Sequence, residues 1–271
     1  MYHELAKIRA FLIRDWQHEK SYRLVFLPAF FSLFTLLFTF FFLARLLNHA
    51  QLPALQPYGG DYFAFVLIGF AFFNYLEVLL KGLPQQIREG QLLGTLEALL
   101  VTPTALPTLI IASICYQLLG ATARVVVYLG LAIGIFQITL HGANLIATGL
   151  FLLLTLMAFS SLGILTASVV ILLKKGEALS SLFVSIARLL CGLYYPISIL
   201  PDSLQLVAHW IPVTYALEGL RLALLQGYSL TQLMPNLLPL SLFTLFLLPS
   251  SLWAFHHAIQ RAKRDGTLTQ Y

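Results

Sequence analysis

Apolar runs of 18 to 33 residues, separated by short polar or proline-rich breaks, set the rhythm of this chain. A bilayer core of about 30 Å is crossed by about 20 helical residues. The runs at 24–47, 62–80, 106–138, 143–173, 178–195 and 233–255 therefore predict six transmembrane helices. The third and fourth, about 45 Å long as straight helices, must tilt, break or project beyond the hydrocarbon. Residues 1–22 are too polar to span. Leu5, Ile8, Leu12 and Trp16 share one helical face there while Glu4, Lys7 and Arg14 point elsewhere, the pattern of an interfacial helix. Gln51–Gly60, with Pro53, Pro57 and a Gly59-Gly60 pair, reads as a loop. Between 196 and 232, Pro196, Pro201 and Pro212 cut the chain into apolar pieces too short to cross. Leu204–Trp210 and Tyr215–Leu225 read as re-entrant or interfacial helices, which need other protein to cover them at membrane depth. The tail, 256–271, is polar.

One stretch breaks the pattern. From Gln85 to Pro103, between the second and third runs, Ile87, Leu92, Leu96 and Leu99 or Leu100 recur at helical spacing. Arg88, Glu89, Gln91, Thr95 and Glu97 occupy the other sides, and Thr102-Pro103 ends the segment, because a residue before proline leaves the α region. Such a helix either rests on the lipid surface or presents itself to a partner.

Composition supports the membrane reading. Of 271 residues, 59% are hydrophobic and 10% charged, with a mean hydropathy of +0.85, against roughly 25% charged in soluble domains. The net charge of +5 forms no basic stripe with interleaved aromatics, so nucleic acid is not an expected partner. It marks one side of a bilayer instead. With the amino terminus inside, Lys7, Arg9, Arg14, Lys20, Arg23, Lys81, Arg88, Lys174, Lys175, Arg261, Lys263 and Arg264, twelve of the sixteen cations, are cytoplasmic. Both termini and the Gln85–Pro103 helix then face the cytoplasm. Cys115 and Cys191 lie in apolar runs and imply no disulfide framework. Gly130 and Gly134 form a GxxxG pair, a weak sign of close helix packing.

Chemistry is sparse. No P-loop, HExxH, CxxC or GxSxG motif occurs, and the adjacent His256-His257 rings diverge on a helix. Glu77, spaced to pair with Lys81, is the one candidate intramembrane acid, whereas ion-driven transporters ordinarily carry several. Energy for transport would have to come from another chain. Arg124 and Arg188 sit inside predicted spans. Each either binds backbone carbonyls or pairs with Glu218, or it faces a cavity and attracts an anionic headgroup.

Two local patterns resemble the type-2 ABC transporter permeases, membrane subunits of bacterial exporters. One is Arg88-Glu89, then Gly94-Thr95-Leu96-Glu97, Leu100 and Thr102-Pro103. The other is Gly192, Tyr194-Tyr195-Pro196, Leu200-Pro201, Pro212, Tyr215, Arg221 and Gly227. With the six-span layout, the resemblance covers essentially the whole chain. It implies an all-α polytopic membrane protein with an amino-terminal interfacial helix and a cytoplasmic coupling helix between spans two and three. Short re-entrant helices precede span six. The resemblance further implies a homodimeric permease in the bacterial inner membrane that moves an amphiphilic or lipid-like or glycan-like substrate, driven by two separate ATPase subunits. ATP and Mg would sit on those subunits, with no cofactor in this chain. Arg88, Glu89, Gly94, Thr95, Leu96, Glu97 and Leu100 are then the coupling residues. Tyr194, Tyr195, Pro196, Pro201, Pro212 and Tyr215 form an outer gate, and Arg124 and Arg188 line a possible substrate cavity. A scaffold that recruits an ATPase without moving cargo is the alternative, and a membrane enzyme a more distant one.

Overall fold

A computed structural model describes residues 26–48, 52–94, 106–136, 143–173 and 177–265, together with Ile13 and Gln17. The expected interfacial helix at 1–22, Ile13 and Gln17 apart, and residues 95–103 of the polar stretch fall outside them. Helices α1 (Phe26–Asn48), α2 (Tyr62–Leu92), α3 (Leu106–Gly134) and α4 (Leu145–Leu173) are followed by α5 (Glu177–Leu190). Two short helices, α6 (Asp202–His209) and α7 (Pro212–Leu225), precede the long α8 (Met234–Asp265). Among the described residues there is no strand. Among the described residues four helices are long and apolar enough to cross a membrane: α2, α4, α8 and the Ile110–Gly134 part of α3. Phe34–Leu47 and Ala178–Leu190 are shorter apolar pieces.

α2 is the hub. Asp61 caps it, its Oδ1 accepting from the Phe63 amide at 2.9 Å, and residues Tyr62 to Gly69 are buried without interruption. A helix apolar on every side belongs in the interior, and α2 packs against α1, α3, α4, α5 and α7. At the periphery, Phe31, Ile146 and Phe246 are each more than 70% exposed, which suits lipid rather than water.

Three boundaries depart from the sequence reading. Gly82 and Pro84 do not end the second span: α2 continues through Pro84 to Leu92, absorbing the first half of the polar stretch. Pro84 has no amide for the carbonyl of Leu80. The Thr166 hydroxyl of α4 stands 3.4 Å from that oxygen, with Gly163 O also in reach at 2.9 Å. A neighbouring hydroxyl of this kind is what lets proline persist in a membrane helix. The fifth run, expected over 178–195, stops at Leu190, so α5 has 14 residues, about 21 Å. The chain turns at Gly192, whose φ of +84° favours glycine. Side chains rather than further helical turns satisfy the terminal carbonyls. Tyr195 Oη donates to Leu189 O (2.6 Å), Arg221 to Gly192 O and Leu193 O (2.7 and 3.1 Å), and Tyr62 Oη to Tyr194 O (3.0 Å). Finally, α8 runs ten residues past the expected end at 255. Phe255, Ala258, Ile259 and Ala262, at helical spacing, bury against Leu83, Ile87, Ile110 and Ile171.

Candidate functional site

Polar groups gather at three levels along α2. In its middle, Asn74, Glu77 and Lys81 fall at i, i+3 and i+7, one face of the helix. Glu77 is bidentate in effect: Oε1 receives Lys81 Nζ and Oε2 receives Arg188 of α5, both at 2.5 Å. Arg124 of α3 donates from Nε to Asn74 Oδ1 at 3.3 Å. Beside it, Tyr75 Oη meets Thr122 Oγ1 at 3.1 Å, and that hydroxyl donates on to Leu118 O. Arg188 therefore does not pair with Glu218. That acid sits three residues before Arg221 on α7, while α5 runs antiparallel to α2 and brings Arg188 to the level of Glu77. Lys81, Glu77 and Arg188 keep 34%, 36% and 41% of their side chains exposed. The three cations against one carboxylate leave this stripe at 3 − 1 = +2. Asn74 was missed in the sequence; its signal was an isolated amide on the Glu77–Lys81 face of an apolar helix.

Toward the Leu92 end, Arg88 is half-buried and Glu89 exposed, the latter accepting from Gln85 Nε2 at 3.0 Å. Leu93 closes the helix and Gly94 turns the chain at φ +67°. Thr95, Leu96, Glu97 and Leu100 lie outside the described residues.

Toward the Asp61 end, Arg221 ties two separate parts of the backbone together. It is 3% exposed, and its guanidinium donates to Phe65 O, Gly192 O and Leu193 O at 3.1, 2.7 and 3.1 Å while lying 3.4 Å from the centroid of the Phe65 ring. The role of carbonyl-binding cation, expected of Arg124 or Arg188, thus belongs to Arg221. Tyr58, in the 3-10 turn Pro53–Tyr58, packs edge-on to Phe65 at 4.9 Å. Burial first, then the nearby Glu218 charge, pushes its phenol up to about 12, against the opposing pull of Arg221, so it stays neutral at any physiological pH.

Around this clasp, Tyr194 stacks near Phe40 and meets Phe70 edge-on, each at 6.0 Å. Pro196 starts the Ile197–Ile199 turn, Pro201 precedes α6 and Pro212 opens α7, where a missing amide costs nothing. Thr214 Oγ1 ties α7 back to Ala208 O at 2.6 Å, and Tyr215 faces His209 across 6.2 Å. α7 is mostly buried, whereas α6 exposes Leu206 and Val207, and Trp210, which closes it, is exposed as well. His256 reaches Gln260 while His257 stacks on Trp253, so the two rings diverge. Among the described residues no three His, Cys, Asp or Glu side chains gather where a metal could sit.

Comparison with known families gives one finding of weight: the model described as ABC-2 type transporter matches residues 6–225. No curated protein matches the chain.

Proposed function

Because the chain belongs to the ABC-2 type transporter family, we propose that this transmembrane subunit is half of an exporter, in which two identical copies enclose the pathway and two separate ATPase subunits drive it. The carrying observation is the length and ending of α2. Its 31 residues extend about 46 Å, roughly 16 Å beyond a bilayer core. The excess carries Arg88 and Glu89 out of the hydrocarbon and ends at the Gly94 turn. Thr95, Leu96, Glu97 and Leu100, which follow that turn in the sequence and lie outside the described residues, are the side chains we assign to the contact with the ATPase. α2 is the lever: a push at its Leu92 end is transmitted to Phe65, which Arg221 ties to the Gly192 turn. Motion there opens the Tyr194–Tyr215 gate. The cationic stripe of Lys81, Arg124 and Arg188 favours an amphiphile with a negative headgroup, such as a lipid or glycan carrier. Six spans, α1 to α5 and α8, set both termini in the cytoplasm of a bacterial inner membrane, with ATP and Mg held by the partner.

Single cysteines at the exposed positions Gln56 and Leu230, in a chain lacking Cys115 and Cys191, are expected to react with an impermeant thiol reagent in intact cells. One at Leu93, 76% exposed, is expected to react only after permeabilisation; the reverse pattern overturns the orientation.

The function itself is tested by Glu97→Lys. At a protein contact the reversed charge is expected to lower ATP-driven transport at least about tenfold, a loss of 1.4 kcal/mol or more in coupling, with normal membrane insertion. On a lipid surface the added cation is harmless near anionic headgroups. Wild-type transport with wild-type ATPase recruitment in this variant removes the proposal.

A further inference from the structure

A second polar site lies where α5 begins against the Lys81–Leu92 part of α2. A cavity of about 320 Å³ is bordered there by Lys81, Gln85, Arg88, Glu89, Ser180 and Ser181. Ser180 is the unusual member. It is 1% exposed, and among the described residues its Oγ has no hydrogen-bond partner. Hydroxyls elsewhere in these helices bond back to the carbonyl four residues earlier, as Ser185 does to Ser181, Ser168 to Ile164 and Thr155 to Phe151. A buried hydroxyl without a partner is rare, because its lost hydration is not replaced. Ser180 also lies in the first turn of α5, where unpaired amides favour negative charge. Lys81 gives one of its three donors to Glu77 and keeps two.

From this we infer that the cavity is a binding site for a phosphate-bearing group, with the Ser180 hydroxyl and the Lys81 ammonium as its donors. The inference rests on the proposed function only in placing this end of α2 at the level of the lipid headgroups. There the phosphate belongs either to an anionic lipid or to the free ion. In both cases the missing partner of Ser180 is a phosphoryl oxygen, and Glu89 marks the rim of the site.

The test uses the purified full-length chain in detergent, without any ATPase, so that its outcome is separate from that of the coupling experiment. Binding is titrated, and the unfolding midpoint followed, with dihexanoyl phosphatidic acid, inorganic phosphate and dihexanoylglycerol. Saturable stabilisation by the phosphatidic acid but not by inorganic phosphate identifies a lipid headgroup; comparable stabilisation by both identifies the free ion. Dihexanoylglycerol is expected to do nothing. Ser180→Ala is expected to leave the unliganded midpoint unchanged or raised, since it removes an unsatisfied hydroxyl, while weakening binding about tenfold, as loss of a hydrogen bond to a charged group should. Lys81→Gln is expected to weaken binding at least as much. Failure of both phosphates to stabilise the protein overturns the inference. So does equal stabilisation by dihexanoylglycerol, or undiminished binding in both variants.

Discussion

Arg221→Ala is expected to prevent accumulation of folded protein. The guanidinium supplies donors to three carbonyls on two separate parts of the chain, Phe65 and the Gly192-Leu193 turn, and covers the Phe65 ring. Without it those oxygens remain buried and unpaired. Each buried acceptor left unpaired costs about 1–3 kcal/mol, out of a total stability on the order of 5–15 kcal/mol. Arg221→Lys is expected to recover little, because a point-like ammonium cannot fork to both elements or stack flat on the ring. Size-exclusion profiles and unfolding midpoints of the detergent-extracted variants measure this; a monodisperse Arg221→Ala protein with an unchanged midpoint would show that the clasp is dispensable.

Gly163→Ala is expected to be nearly as damaging. A Cβ at this position would stand 2.0 Å from the carbonyl oxygen of Leu79, a backbone atom in the heart of α2. Neither helix can yield without losing the Thr166 contact to Leu80 that supports Pro84. Overpacking of this sort typically costs 1–3 kcal/mol, here about 3. Gly82→Ala is the informative control. Its Cβ would fall still closer, 1.5 Å, to Gln117 Oε1. That atom ends a flexible side chain, which can swing aside, so about 1 kcal/mol is expected. If Gly82→Ala lowers the midpoint more than Gly163→Ala does, the tight α2–α4 contact is not what fixes the bundle.

The apolar runs announced the all-helical bundle because long apolar stretches have few other fates, and the two short helices of 202–225 followed from proline spacing. Arg221 was visible in the sequence, but its partners were not, since the carbonyls it binds lie 28, 29 and 156 residues away. Nothing local announces such a closure. Pro84 misled for a related reason: the helix survives it because a hydroxyl from α4 stands beside Leu80 O, and no reading of α2 alone supplies that hydroxyl. Arg188 was recognised as needing a partner, and Glu77 was recognised as an embedded acid paired with Lys81. Their pairing across α2 and α5 required the antiparallel register. The tail of α8 was legible in retrospect, its Phe255, Ala258, Ile259 and Ala262 repeat being overshadowed by the surrounding histidines and cations.

The central claim is that the polar segment after α2 seats in an ATPase. A photoreactive phenylalanine analogue placed at Leu96 of the full-length chain, activated in intact cells, tests it most directly. The expected product is a crosslink to a chain carrying a P-loop, lost in Glu97→Lys and altered when nucleotide is trapped. Crosslinking to lipid alone, with no P-loop protein attached in either nucleotide state, would contradict it.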